Sequence, residues 1–310
     1  MAQMTLSIPK SKPAAHTHPM SSAFRLLLRD KFALVSVSFL LLVFVSAVLG
    51  PLFLGDIGTS MNLRARNAPP FELERGFWYI LGGDPLGRSI LARIILAAQT
   101  TLLIAGSTVL VSATVGVTLG LIAGYRGGFM SDAILRVTDI IMSFPSLLLA
   151  LVVLYVFDPS VLNVVIVLAV TRIPVFLRTT RAEVMEIRSR MFVISAEVTG
   201  ASVFRVVTRH ILPMVAPTIA TLMTIDFAFV MLAEASLSFL GLGVQAPDVT
   251  WGVMVSEGRG YLATAWWLSF WPGLAITLVT MSLNIVSNWL RIATDPVQRW
   301  RLESEVNSNE

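Results

Sequence analysis

Six stretches of this chain are so long and so apolar that lipid is their natural solvent: residues 32–54, 100–123, 134–157, 161–177, 213–243 and 265–289. A helix crosses a bilayer with about 17–25 apolar residues. Backbone in lipid must satisfy its own hydrogen bonds, so apolar blocks of this length span as helices. The chain is therefore read as an all-α integral membrane protein of about six transmembrane helices. Composition agrees, with 14% charged residues in the 310 against about 25% in soluble domains. The net charge of +4 does not point to nucleic acid, because the Arg residues fall in gaps between apolar runs, as the positive-inside rule places them. The sequence has no cysteine, which excludes disulfides, thiolate metal sites and thiol nucleophiles.

Taken in order, residues 1–31 read as a basic cytoplasmic tail with Lys10, Lys12, Arg25, Arg29 and Lys31, closing on a short interfacial helix over 22–30. His16 and His18 form an H-x-H pair with no third ligand nearby, so a polar tail is expected there rather than a metal site. The run 32–54 is too long, and its polar leader too extended, for a cleaved signal peptide; an anchor is expected. Residues 55–98 form an extracytoplasmic loop, and 99–292 a core with the remaining five spans. The loop ends in Gly82-Gly83-Asp84-Pro85-Leu86-Gly87-Arg88, a turn from which Ser89 onward becomes helical. It is not a P-loop, because the only lysines are Lys10, Lys12 and Lys31. Within the second span Gly116, Gly120 and Gly124 repeat every fourth residue, which predicts close helix packing within the chain rather than a dimerisation face. Gly124 to Gly128 reads as a tight turn. Arg136 and Asp139 are placed to pair across one helical turn. Phe144-Pro145 should kink the third span, and Asp158-Pro159-Ser160 should turn the chain. The fourth span ends at Leu177, with Arg172 and Arg178 marking its exit. Val244 to Thr264 reads as a polar loop, Trp266, Trp267 and Trp271 as an interfacial belt, and 293–310 as a cytoplasmic tail with Arg299 and Arg301.

Residues 178–212, running into the fifth span, carry Arg178, Arg181, Arg188, Arg190, Arg205 and Arg209 with Glu183, Glu186 and Glu197. They predict two short amphipathic helices hinged at Gly200, which ends the first in a left-handed conformation. Ser202 is placed to cap the second, where Phe204, Val207 and Ile211 form one apolar face. Such a surface on the Arg-rich side suits docking of another protein.

No H-E-x-x-H, G-x-S-x-G or nucleophile–base pairing is present. His210, among Arg205, Arg209 and Pro213, reads as an interfacial polar residue rather than a general base. Asp226 and Glu234 lie inside the fifth span, eight residues apart and broadly on one face. They are candidates for a translocation path; the alternative is that they pair with Arg residues or support polar helix contacts. No second set of buried charges or inverted repeat favours an ion-coupled carrier.

Ala196-Glu197-Val198-Thr199-Gly200-Ala201-Ser202, followed by Arg209-His210-Ile211-Leu212-Pro213, resembles the cytoplasmic EAA loop of ABC importer permeases. Gly83 to Arg88, Ala123 to Gly128, Leu232 to Gly243, Trp251-Gly252 and Pro272 to Thr277 are similar to the dipeptide/oligopeptide/nickel branch, the DppC/OppC-like permeases, and the resemblance runs from about residue 25 to about 297. It implies a type I importer, MetI-like permease fold with cytoplasmic coupling helices, in an inner (plasma) membrane with both termini cytoplasmic. It further implies a heterodimer with a sister permease, two cytoplasmic ATPases that bind the ATP and Mg, an extracytoplasmic substrate-binding protein, and di- or oligopeptide cargo, with nickel or another small solute as the alternative. This chain itself would be no enzyme and hold no cofactor. The ATPase-coupling residues it implies are Ala196, Glu197, Gly200, Ala201, Arg205, Leu212 and Pro213. Where the family usually has Ala-Ala-Arg-Ala-Leu-Gly, this chain has Ser195 to Gly200 with Glu197 at the Arg position. Met214 stands for the family's Asn, and Ser287 to Arg291 for its Gly-Asp-Gly-Leu-Arg.

Overall fold

The computed structural model describes residues 26–28, 30–157 and 160–294. The H-x-H pair, the basic residues Lys10, Lys12, Arg25 and Arg29, the Asp158-Pro159 turn, and the tail from 295 with Arg299 and Arg301 lie outside the described residues. The interfacial helix expected over 22–30 falls only partly within them, with 26–28 helical.

Helix α1 (Lys31–Thr59) is started by Asp30, whose carboxylate accepts from the Ala33 N–H at 3.0 Å. Helix α2 (Ile90–Arg126) is 37 residues long, roughly 55 Å at 1.5 Å per residue. That exceeds a hydrocarbon core of about 30 Å, so α2 projects beyond it. Helices α3 (Gly128–Met142) and α4 (Ser146–Val156) are bent by 81° at the break. The break falls at Phe144-Pro145, as predicted, and Pro145 caps α4, where its missing N–H leaves no bond unmade. Then follow α5 (Val161–Arg188), α6 (Met191–Val198), α7 (Val203–Val206), a π-turn (Val207–Ile211), α8 (Leu212–Phe239), α9 (Trp251–Gly258) and α10 (Trp267–Thr294). Five helical stretches are long and apolar enough to cross a membrane, or six if α3 and α4 make one broken span.

Four expectations about the elements need correction. The turn read over Gly124 to Gly128 narrows to Gly127-Gly128, because α2 runs on through Arg126. The fourth span does not end at Leu177: α5 runs through Pro174 and on to Arg188. Thr180, Val184 and Ile187 continue its buried face at helical spacing, so packing outweighs the charge of the segment. The second docking helix is not separate either, because α7, the π-turn and α8 run on without a break. The π-turn shifts the register: Val206 and Ile211 are buried, Val207 partly, and Phe204 is 78% exposed. Finally, 244–264 is more than a loop, since it folds back as α9 with Trp251 in the core.

The glycine stripe of α2 packs against α5 in the same chain. A Cβ on Gly116 would lie 2.8 Å from the Ile173 carbonyl oxygen, and one on Gly120 2.7 Å from that of Leu177. Only hydrogen fits there, and the backbones meet without a hydrophobic driving force to help them.

Candidate functional site

At one end, α6 leaves α5 after a two-residue step and stops at Gly200. There the Ala201 N–H donates to the Ala196 carbonyl and the Gly200 N–H to the Glu197 carbonyl, both at 3.0 Å. This bond pair is a Schellman turn and needs a left-handed residue, supplied by Gly200 at φ +84°. Ser202 caps α7 as expected, accepting from the Arg205 N–H at 3.4 Å. In α6 only Val193 is buried; Met191, Phe192, Ile194, Val198, Val203 and Phe204 around the turn are exposed apolar side chains. Glu197 is exposed, and its carboxylate accepts from the Tyr125 hydroxyl at 2.7 Å. Arg188, at the end of α5, lies 4.9 Å from the centroid of the Tyr125 ring and donates to the Tyr125 carbonyl.

The structure gathers Ala196, Glu197, Gly200 and Ala201 into this one turn. Arg205 is exposed one turn later, while Leu212 and Pro213 open the spanning helix α8 rather than the loop. Tyr125 escaped the sequence reading, which took Gly124 to Gly128 as a turn only; its partner is 72 positions away. The pairing expected between Arg136 and Asp139 is replaced by one between Arg178 and Asp139, across helices.

Between the ends, Asp226 is buried and bound by Arg172, whose Nε donates at 2.9 Å. The Arg172 guanidinium also lies 4.1 Å from the centroid of the Phe229 ring. Arg172 is thus a partner of the buried carboxylate and not the mark of a helix exit.

At the other end the contacts are denser. Asp84 accepts from the Leu86 and Arg88 N–H groups at 2.8 Å each and binds the side chains of Arg88 and Arg93. Arg93 reaches on to Glu257 of α9 at 2.9 Å. Thr250 caps α9 through the Val253 N–H and donates to Glu234 at 2.7 Å, where Ser238 donates at the same distance. Trp251 donates from its indole to the Ile94 carbonyl at 2.8 Å. Trp267 is buried and donates to the Gly83 carbonyl at 3.3 Å, so of the expected belt only Trp266 is exposed. Glu234 therefore anchors α9 to α8. Asp226 and Glu234, alike in sequence, have separate partners. Among the described residues no group of three or more His, Asp or Glu side chains stands together to hold a metal ion.

Residues 116–299 match the family of binding-protein-dependent transport system inner membrane components, and residues 18–70 match the N-terminal transmembrane domain of oligopeptide transport permease C. The chain is 35% identical over 291 residues to the di/tripeptide transport system permease protein DppC of Pseudomonas aeruginosa, covering 93% of this chain and 96% of that one. It is 36% identical over 269 residues to the dipeptide permease DppC of Haemophilus influenzae (86% and 91% covered), and 34% identical over 297 residues to a putative peptide transport permease of Brucella abortus (96% and 98% covered). Among solved structures it is similar to a chain of the MetNI methionine ABC transporter in an inward-facing conformation, with a TM-score of 0.55 and 15% identity over 66% of this chain and 97% of that one. That likeness supports the shared fold.

Proposed function

This chain belongs to the family of binding-protein-dependent transport system inner membrane components, and on that premise we propose that it is the permease subunit through which an ATP-binding-cassette importer moves di- or oligopeptides. Peptide cargo is the reading favoured by its relatives, which are peptide and dipeptide permeases at 34–36% identity over most of their length.

One observation carries the mechanism: an eight-residue helix with a single buried side chain, hinged on Gly200 and surrounded by exposed apolar groups. Apolar surface outside the spans has no lipid to cover it, so it fits a protein partner. In this reading the partner is one of two cytoplasmic ATPases, which bind the ATP and Mg. Their closure pushes α6, and the continuous rods α5 and α7–α8 carry the motion into the membrane. The α6 end is then cytoplasmic, as are both termini, in keeping with Arg126, Arg181, Arg188, Arg190, Arg205 and Arg209 there. The α9 end faces the substrate-binding protein, and a sister permease completes the pore. Asp226 fits the translocation path better than Glu234, because its partner Arg172 is 16% exposed while Glu234 is enclosed by α9.

The test is affinity purification of the intact chain from mild detergent with mass spectrometry of what accompanies it. A second permease and ATPase subunits are expected. Recovery of the chain alone, with uptake in liposomes driven by an ion gradient, would reject the reading. A Gly200→Pro variant should insert normally yet lose ATP-driven uptake, because proline holds φ near −65° and removes the N–H that closes the turn.

A further inference from the structure

We infer that Tyr125, Glu197 and Arg188 form a positioning clasp that fixes the angle of α6 against the ends of α2 and α5, so that force on α6 moves those helices instead of being lost in rotation of α6. This rests on the reading of α6 as the part an ATPase engages.

An eight-residue helix is too short to hold itself together in water. Its one buried side chain, Val193, and the partly buried Ala196 seat α6 on the core through two small apolar contacts. Glu197 is four residues on from Val193, hence on the same face one turn away. Its bond to the Tyr125 hydroxyl adds a directional attachment, which small apolar contacts lack. The bond is charge-assisted, O–H to carboxylate at 2.7 Å. Tyr125 is itself held, with the Arg188 guanidinium against its ring and on its carbonyl. One aromatic side chain therefore ties α6 to α2 and α5, which pack on each other along the glycine stripe. Beside the clasp is a groove of about 420 Å³ lined in part by Gly124, Arg181, Arg188 and Glu197. Helix α6 is not packed flush along that side and has room to swing when the tie is cut. A guanidinium at position 197 would join Arg181 and Arg188 in the groove, adding like charge while removing the acceptor.

Four variants of the full chain test this: Tyr125→Phe, which keeps the ring; Glu197→Gln, which keeps an acceptor; Glu197→Ala; and Glu197→Arg. Hydrogen exchange in detergent reads α6 directly. Tyr125→Phe and Glu197→Ala should speed amide exchange over 191–201 by about tenfold, the scale of one lost charge-assisted hydrogen bond, with α2 and α5 unchanged. Glu197→Gln, which keeps a neutral acceptor, should fall between the parent and Glu197→Ala, and Glu197→Arg should be the fastest. In the reconstituted transporter Tyr125→Phe, which leaves Glu197 in place, should retain the ATPases but take up severalfold less cargo per ATP hydrolysed. The double variant Tyr125→Phe/Glu197→Ala should be no worse than either alone. Parent-like exchange in Tyr125→Phe, or losses that add in the double variant, would overturn the clasp. If the parent chain retains no ATPase, the proposed function fails while the exchange measurement still decides the clasp.

Discussion

Helices α6 and α9 have the same length, eight residues each, and lie at opposite ends of the bundle. Both adjoin the same kind of turn: Gly200 at φ +84° ends α6, and Gly241 at φ +83° ends the α8 helix that leads to α9. In each, the residue after the glycine donates at 3.0 Å to a carbonyl five positions back. Their surroundings differ. Helix α9 buries Trp251, Gly252, Met254 and Gly258 and is tied by Glu257, Thr250 and the Trp251 indole. Helix α6 buries Val193 and is tied by Glu197. Neither is stable by itself, so what differs is who stabilises it. Helix α9 is completed by its own chain, whereas the outer face of α6 is left uncovered by it; in the function proposed above, α9 is a fixed part of the pore's frame and α6 the surface offered to an ATPase.

The comparison breaks most visibly at Asp84. Asp84→Ala removes two backbone hydrogen bonds and both guanidinium contacts, leaving the buried Arg93 to Glu257 alone. Breaking a buried ion pair costs about 3–5 kcal/mol, so thermal unfolding in detergent should shift down steeply. A shift no larger than that of a surface variant would mean the α9 end is not clamped as described. Next is Gly252→Ala, whose added Cβ would lie 2.6 Å from the Ala235 Cα. Backbone cannot yield as a side-chain tip does, and overpacking of this kind costs about 1–3 kcal/mol, readable in the same unfolding assay.

The spans were legible because length and apolarity are local, and the α3–α4 break because a proline names its own position. Gly200 was legible for the same reason: the αL requirement belongs to one residue. Helix α9 was not, although Thr250 is a good cap, because eight residues are too few to carry a periodic signal and two of them are glycine. The continuation of α5 past Leu177 was hidden by its charges, even though Thr180, Val184 and Ile187 keep the helical spacing. The partners of the singled-out carboxylates were out of reach. Arg172 is 54 positions from Asp226, Tyr125 is 72 from Glu197, and Thr250 is 16 from Glu234. Which groups meet across such separations is set by the packing of α2 on α5 and α8, and one sequence does not encode that in any local pattern.

At the α6 end the effects on stability are smaller and their separation from function sharper. For Gly200→Ala no atom lies within 4 Å of the new Cβ, so the whole cost is the left-handed backbone, about 1–2 kcal/mol. That cost falls on the turn alone, and amide exchange should rise over 196–201 while global unfolding stays near the parent. Phe204→Ser is the smallest of all by stability. Phe204 is 78% exposed and follows the cap of α7 by two residues, so replacing it should change unfolding by no more than about 0.5 kcal/mol. Its ring is nevertheless among the most exposed on the surface proposed for the ATPase, and buried aromatic anchors dominate such interfaces. Unfolding should therefore be unaltered while ATPase recovered with the chain drops. Asp84→Ala should do the reverse in whatever fraction remains folded, keeping its ATPase. If Phe204→Ser loses stability instead of partner, α6 and its neighbours are packed by their own chain, and the contrast with α9 disappears.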